Sequence, residues 1–174
     1  MHATSLGSLN LRLFDLPRGF TLTDHHVWNN AAAAKLDHTT VAELNRRGRI
    51  NSVENVFKSR LPIQGMINVD ASIASYRSGS GAHWIFLRNA HSLKGAKESG
   101  HPLVSMPIAR IGNESAGFTV DFILGSFHYT ADLVSFRQGS HFFDMQVVGL
   151  QHLYKPAQVD HLALIVDKRI LRAH

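Results

Sequence analysis

Between residues 67 and 147 the chain repeatedly alternates apolar and polar side chains. Ile67, Val69, Ala71 and Ile73 alternate with Asn68, Asp70 and Ser72. Phe118, Val120 and Phe122 alternate with Thr119 and Asp121, and Phe127, Tyr129, Ala131 and Leu133 with His128, Thr130 and Asp132. Phe143, Met145 and Val147 do so with Asp144 and Gln146. A period of two sends alternate side chains to opposite faces of an extended chain, so each run predicts a half-buried strand. Residues 9–13 alternate in the same way and predict a first strand. Residues 83–88 carry apolar side chains in both phases, as a strand buried on both faces would. Leu162, Leu164 and Val166 predict a last strand. Residues 103–111 look extended, and Pro107 lacks a ladder donor, which points to a sheet edge.

Residues 23–61 break this rhythm. Thr23 or Asp24 can cap a helix in which Val27, Ala31 and Ala34 share a side. Thr40 and Glu43 have capping-box spacing, and Gly48 is a fitting stop. Asn51 or Ser52 can cap a third, short helix through Val56 and Phe57 that Pro62 would end. The expected architecture is a single domain over 1–174, mainly β, with about eight strands in a sandwich, jelly roll or small barrel. An insert of two or three helices follows the first strand, at about 23–61. An α+β arrangement, with the helices packed on a sheet face, is the alternative.

A chain of 174 residues can bury a sizeable core without a disulfide staple. It has no cysteine, which removes disulfides, thiolate catalysis and Cys-type zinc sites. No basic flank followed by an apolar stretch opens the chain, so no signal peptide is expected. No apolar run is long enough to predict a transmembrane helix. These features lead to an expectation of an intracellular protein, cytoplasmic or nuclear.

Charge is unevenly distributed. The formal net charge is +5. Residues 35–60 hold six basic against three acidic side chains, and residues 155–174 hold four against two, while the rest cancels. A localised basic patch can steer and hold a polyanion. Arginine suits phosphate because its planar fork donates two hydrogen bonds at once. Arg46, Arg47, Arg49, Lys58 and Arg60 are therefore the candidate contacts for nucleic acid or an anionic surface. The competing reading is a solvated face near a helix C-terminus, where positive charge is favourable anyway.

Catalytic signals are sparse. The twelve histidines have no metal-ligand spacing. Asp24-His25, Asp37-His38 and Asp160-His161 are sequence neighbours, and at the first two a capping role for the aspartate is simpler. Residues 77–81 lack the first glycine of a nucleophile elbow and the Gly-Lys-Ser/Thr of a phosphate loop, so a hairpin turn fits them better. No catalytic residue, cofactor or metal ligand is assigned. The alternating aromatics read as core, whereas Tyr76 and Phe136 fall out of phase and are candidates for exposed contacts. Asp70, Asp121 and Asp144 read as solvated strand positions.

The sequence thus leads to a non-enzymatic structural or interaction protein. It would self-associate as a homo-oligomer and bind RNA, DNA or an anionic membrane surface through the basic insert. Viral coat, matrix and movement proteins are comparable by class only. The alternative is a small β-barrel or sandwich enzyme using His83, His128 or His141 with Asp121 or Asp144 in a pocket. Protonating all twelve histidines would take the charge from +5 to +17, which would make either assembly or binding pH-sensitive.

Overall fold

The computed structural model describes residues 5–36, 39–94, 96–98 and 100–173. The chain opens with α1 (Leu6–Leu9) and one turn of 3-10 helix at Leu13–Asp15. Then come β1 (Thr21–Trp28), α2 (Asn30–Leu36), α3 (Val41–Arg46), β2 (Arg49–Ile63) and β3 (Met66–Tyr76). After α4 (Gly79–Leu93) lie the short strands β4 (Lys97–Glu98), β5 (His101–Pro102) and β6 (Val104–Ser105). The chain closes with β7 (Glu114–Leu124), β8 (Phe127–Gln138), β9 (His141–Leu150) and α5 (Pro156–Arg172). Seven strands form one antiparallel sheet in the order β1-β2-β3-β9-β8-β7-β6, and β4 pairs with β5 alone. The protein is mainly β, as its alternation predicts. The four period-two runs lie within β3, β7, β8 and β9, next to one another in the sheet. Of the edge strand expected over 103–111 only Val104–Ser105 is a strand, β6, paired on one side only with β7, and Pro107 lies beyond it.

Several elements differ from the sequence reading. Residues 9–13 are not a strand: Leu9 and Leu11 are buried, and Asn10 fastens the segment by donating to the carbonyls of Val53 and Ala71 at 3.0 and 2.9 Å. The stretch 23–61 holds two short helices, α2 and α3, between two long strands. Thr40 caps α3 as expected, accepting from the Glu43 amide at 3.1 Å. Asp24 and Ser52 cap nothing, because β1 and β2 are extended there. β1 hides from a pattern search because it is an edge strand exposed along almost its whole length. In β2 the core-facing row Val53, Asn55, Phe57 contains a buried polar residue, Asn55, which donates to the Leu11 carbonyl at 2.8 Å.

Residues 83–88 and 162–166 are helical. In α4 the buried Ala82 and Phe86 are one helical turn apart, and Trp84 points toward Ala33, Ala34 and Leu44. In α5, Val159, Leu162, Ala163, Val166 and Ile170 form one buried stripe. Short apolar runs fit either period, and here the helical one wins.

The sheet is covered on both faces. α1, the flanking Leu11 and Leu16, and α5 pack with Val69, Ala71, Ile73, Phe143, Met145 and Val147. Ala74, Tyr76 and Phe142, of opposite phase in the same strands, pack with α4. Tyr76 and Phe136 are buried, at 3% and 0% exposure, so neither is the exposed contact their phase predicts. Among the described residues no helix is long and apolar enough to cross a membrane.

Candidate functional site

α2 and α4 roof a cleft over the β1-β2-β3-β9 half of the sheet. Register pairing builds the floor in two transverse rows. The outer row runs Trp28, Ser52, Ala74, Phe142 across β1, β2, β3 and β9. The inner row runs His26, Glu54, Ser72, Asp144, Ser135 and reaches β8. Alternation on each strand places both rows on one face, two residues apart.

The outer cavity has a volume of about 540 Å³, and its walls include Trp28, Leu36, Tyr76, Ile85 and Phe142. An inner chamber of about 170 Å³ adjoins it and shares Glu54, Ser72, Asn89 and Asp144. Asp70, Ser135 and Gln146 also line that chamber. Together the two spaces fall in the range of ordinary small-molecule sites, with an aromatic mouth and a polar interior.

Several contacts hold the cleft in shape. The Trp28 indole donates to Glu54 Oε2 at 2.9 Å, and the His26 ring stacks on Trp28 with centroids 4.9 Å apart. Arg49, 6% exposed, donates to the Trp28 carbonyl, Asn30 Oδ1 and Ser52 Oγ. Arg88 reaches from α4, with its guanidinium 5.5 Å from the Trp84 ring. Asp70 is pushed up to about 6 by burial and then by the neighbouring Glu54 carboxylate, with Asp24 adding to the rise and His26 opposing it. Asp70 and Asp144 are thus half-buried cleft groups, not solvated strand positions. Asp121 lies on the opposite face, accepting from Thr130 at 2.6 Å and from Gln151 at 2.8 Å.

The five basic residues singled out by sequence do not gather into one patch. Arg46 and Arg47 both pair with Glu43, whose carboxyl they hold below its ordinary range, and Arg47 also lies over Trp84. Arg49 points into the cleft. Lys58 and Arg60 are exposed on β2, roughly 30 and 36 Å along the strand from Arg49 at about 3.3 Å per residue. In the C-terminal group, Arg169 is tied to Asp15 and to the Asn10 carbonyl.

The histidines of the enzyme alternative do not converge with a carboxylate in the cleft. His83 pairs with Glu114 at its half-exposed position on α4. His128 is exposed on β8, and His141 has the opposite phase to Asp144 on β9. Asp24 and His25 are successive strand residues and so face apart. Asp160 accepts from the Ala109 amide at 3.2 Å while His161 is exposed. Asp37 and His38 lie outside the described residues. Among the described residues no three His, Asp or Glu side chains gather as a metal site.

Sequence reasoning missed the cleft because its residues come from β1, β2, β3, β8, β9, α2 and α4. The available signal was the set of small and acidic residues, Asp70, Ser72 and Asp144, on the polar phase of otherwise apolar central strands.

No family model matches the chain, and no curated protein matches it in sequence. Its fold is similar to the crystal structure of the extracellular domain of PknH from Mycobacterium tuberculosis. The TM-score is 0.66 over 95% of each chain, at 9% identity. This corrects the expectation of an intracellular protein: a solved structure similar in fold is an extracellular domain, and lack of cysteine does not decide the compartment.

Proposed function

We propose that this chain is a non-enzymatic ligand-binding domain whose site is the cleft between α4 and the sheet. The two neighbouring cavities, of about 540 and 170 Å³, carry the reading. The aromatic mouth offers apolar area, and the interior offers a few fixed polar groups, the division of labour of small-molecule sites. Rigid strands supply the floor, so the polar groups are placed before a ligand arrives, which reduces the ordering needed on binding. Similarity to an extracellular domain supports a setting outside the cell.

The test is a fragment screen by ligand-observed NMR, read against two blocking variants. Ala74→Phe fills the floor, and Leu36→Glu changes the half-exposed mouth without touching the core. The reading requires fragments that bind the natural chain and lose binding in both variants while the fold persists by circular dichroism. Hits that bind the variants equally well would overturn it.

A further inference from the structure

The end of the sheet opposite the cleft's outer row gathers three connections. Ile63 is opposite Met66 across the β2–β3 turn, Met66 is opposite Gly149, Leu150 is opposite Tyr129, and Leu124 is opposite Phe127 across the β7–β8 turn. Gly19 joins them: a β-carbon built on it would stand 3.0 Å from Ile63 Cδ1. Phe142, in the outer row, lies roughly 26 Å from Leu150 along β9 at about 3.3 Å per residue.

Apolar side chains stand out from this end. The ladder between β8 and β9 stops at Tyr129 and Leu150, so the β7–β8 turn projects beyond it as a two-stranded finger. Phe122, Leu124, Phe127 and Tyr129 share one face of the finger, and the Tyr129 ring lies 5.5 and 6.4 Å from those of Phe122 and Phe127. Leu124 and Phe127 are 67% and 57% exposed. At β2, five residues lead from Lys58 to Ile63 where β3 uses two from Asn68 to Met66. The surplus bulges outward and presents Arg60 and Leu61, the latter 70% exposed.

Charge is segregated at the same end. Residues 16–23, 57–69, 122–131 and 145–159 hold Arg18, Lys58, Arg60 and Lys155 and no aspartate or glutamate. All four basic residues are exposed. The other fourteen basic side chains are met by thirteen acidic ones, so nearly the whole net charge of +5 sits here. Asp121, at the base of the finger, is engaged by Thr130 and Gln151.

We propose that this end of the sheet docks on an anionic lipid bilayer, with Leu124 and Phe127 entering the boundary between headgroups and acyl chains and Arg18, Lys58, Arg60 and Lys155 facing lipid phosphates. A projecting apolar tip needs no shaped pocket in a fluid bilayer, and Tyr129 suits the headgroup level with its apolar body and polar hydroxyl. The basic residues favour an anionic leaflet. They disfavour a second copy of this chain, whose matching end carries the same charge. The surface is independent of the cleft and leaves it uncovered.

The test is flotation of the full chain with vesicles of phosphatidylcholine alone and of an equal mixture of phosphatidylcholine and phosphatidylglycerol, at low and high salt. Binding to the mixed vesicles should be at least about tenfold tighter at low salt and should fall by a similar factor at high salt. Leu124→Ser with Phe127→Ser, and Lys58→Gln with Arg60→Gln, should each weaken it by about tenfold or more. Lys168→Gln with Arg172→Gln removes the same charge from the exposed far end of α5 and should weaken it by less than about threefold. All these positions are exposed, and circular dichroism with a thermal midpoint checks that each variant folds. No flotation with the mixed vesicles, equal flotation with both compositions, no loss in either pair at this end, or an equal loss in the α5 pair would overturn the proposal. A chain that sediments as a dimer, turns monomeric on Phe127→Ser and floats with neither vesicle would assign the finger to a second copy instead.

Discussion

A β-carbon built on Gly81 would stand 2.1 Å from the carbonyl oxygen of Arg47. The start of α4 is therefore pressed onto the C-terminal end of α3, and this contact sets the height of the cleft roof. Gly81→Ala has to move backbone against backbone. It should destabilise the fold by about 3 kcal/mol, at the upper end of overpacking effects. Urea denaturation measures that figure, and loss of fragment binding in the surviving folded fraction would show that the roof has shifted.

Asp70 gives the stability curve a direction. Its carboxyl titrates at about 6 in the fold against an ordinary value of 3.8. Below about pH 4 it is protonated in both folded and unfolded chains and contributes nothing. As pH rises through that window the unfolded chain ionises first, so stability falls, and above about 6 the whole penalty is present. Full burial would make this about 3 kcal/mol, and partial exposure reduces it to about 1–2 kcal/mol. Asp70→Asn should therefore raise the thermal midpoint at pH 8 and leave it unchanged at pH 3.5.

The Trp28–Glu54 bond ties the edge strand to its neighbour inside the cleft. Trp28→Phe keeps an aromatic ring and removes the donor to Glu54. The expected loss is about 1 kcal/mol, the net value of one hydrogen bond, measured by denaturation. Trp84 then remains as the sole tryptophan, and fragment binding should no longer change the indole fluorescence of the mouth.

Arg49 acts as a clamp. Its guanidinium joins the end of β1, the start of α2 and the floor of the cleft through Trp28, Asn30 and Ser52. Arg49→Ala should lower stability by about 2–3 kcal/mol, because it leaves buried acceptors without their charged donor. Arg60→Ala, at an exposed strand position, should leave the denaturation midpoint unchanged. Equal effects of the two substitutions would remove the distinction between clamp and surface charge.

The sequence by itself determined the centre of the sheet. In β3 and β9, and in the parts of β7 and β8 away from their connecting turn, alternate apolar side chains have buried places, so alternation is written directly into residue types; Ile123, Leu124 and Phe127 at that turn are exposed. It also determined the cap of α3 at Thr40, which depends on neighbours three residues apart. The tertiary structure decided the rest. Thr21–Trp28 became a strand because β2 offered it an open edge, although its own residues read as a helix. Gly79–Leu93 and Pro156–Arg172 became helices because a sheet face needs a covering stripe, which a short apolar run does not specify on its own. The basic residues of 35–60, dense along the chain, were divided when β2 extended and carried Lys58 and Arg60 away from Arg49. The cleft arose from the same step: strand pairing set Glu54, Ser72, Asp144 and Ser135 side by side, a relationship of register that no local spacing contains.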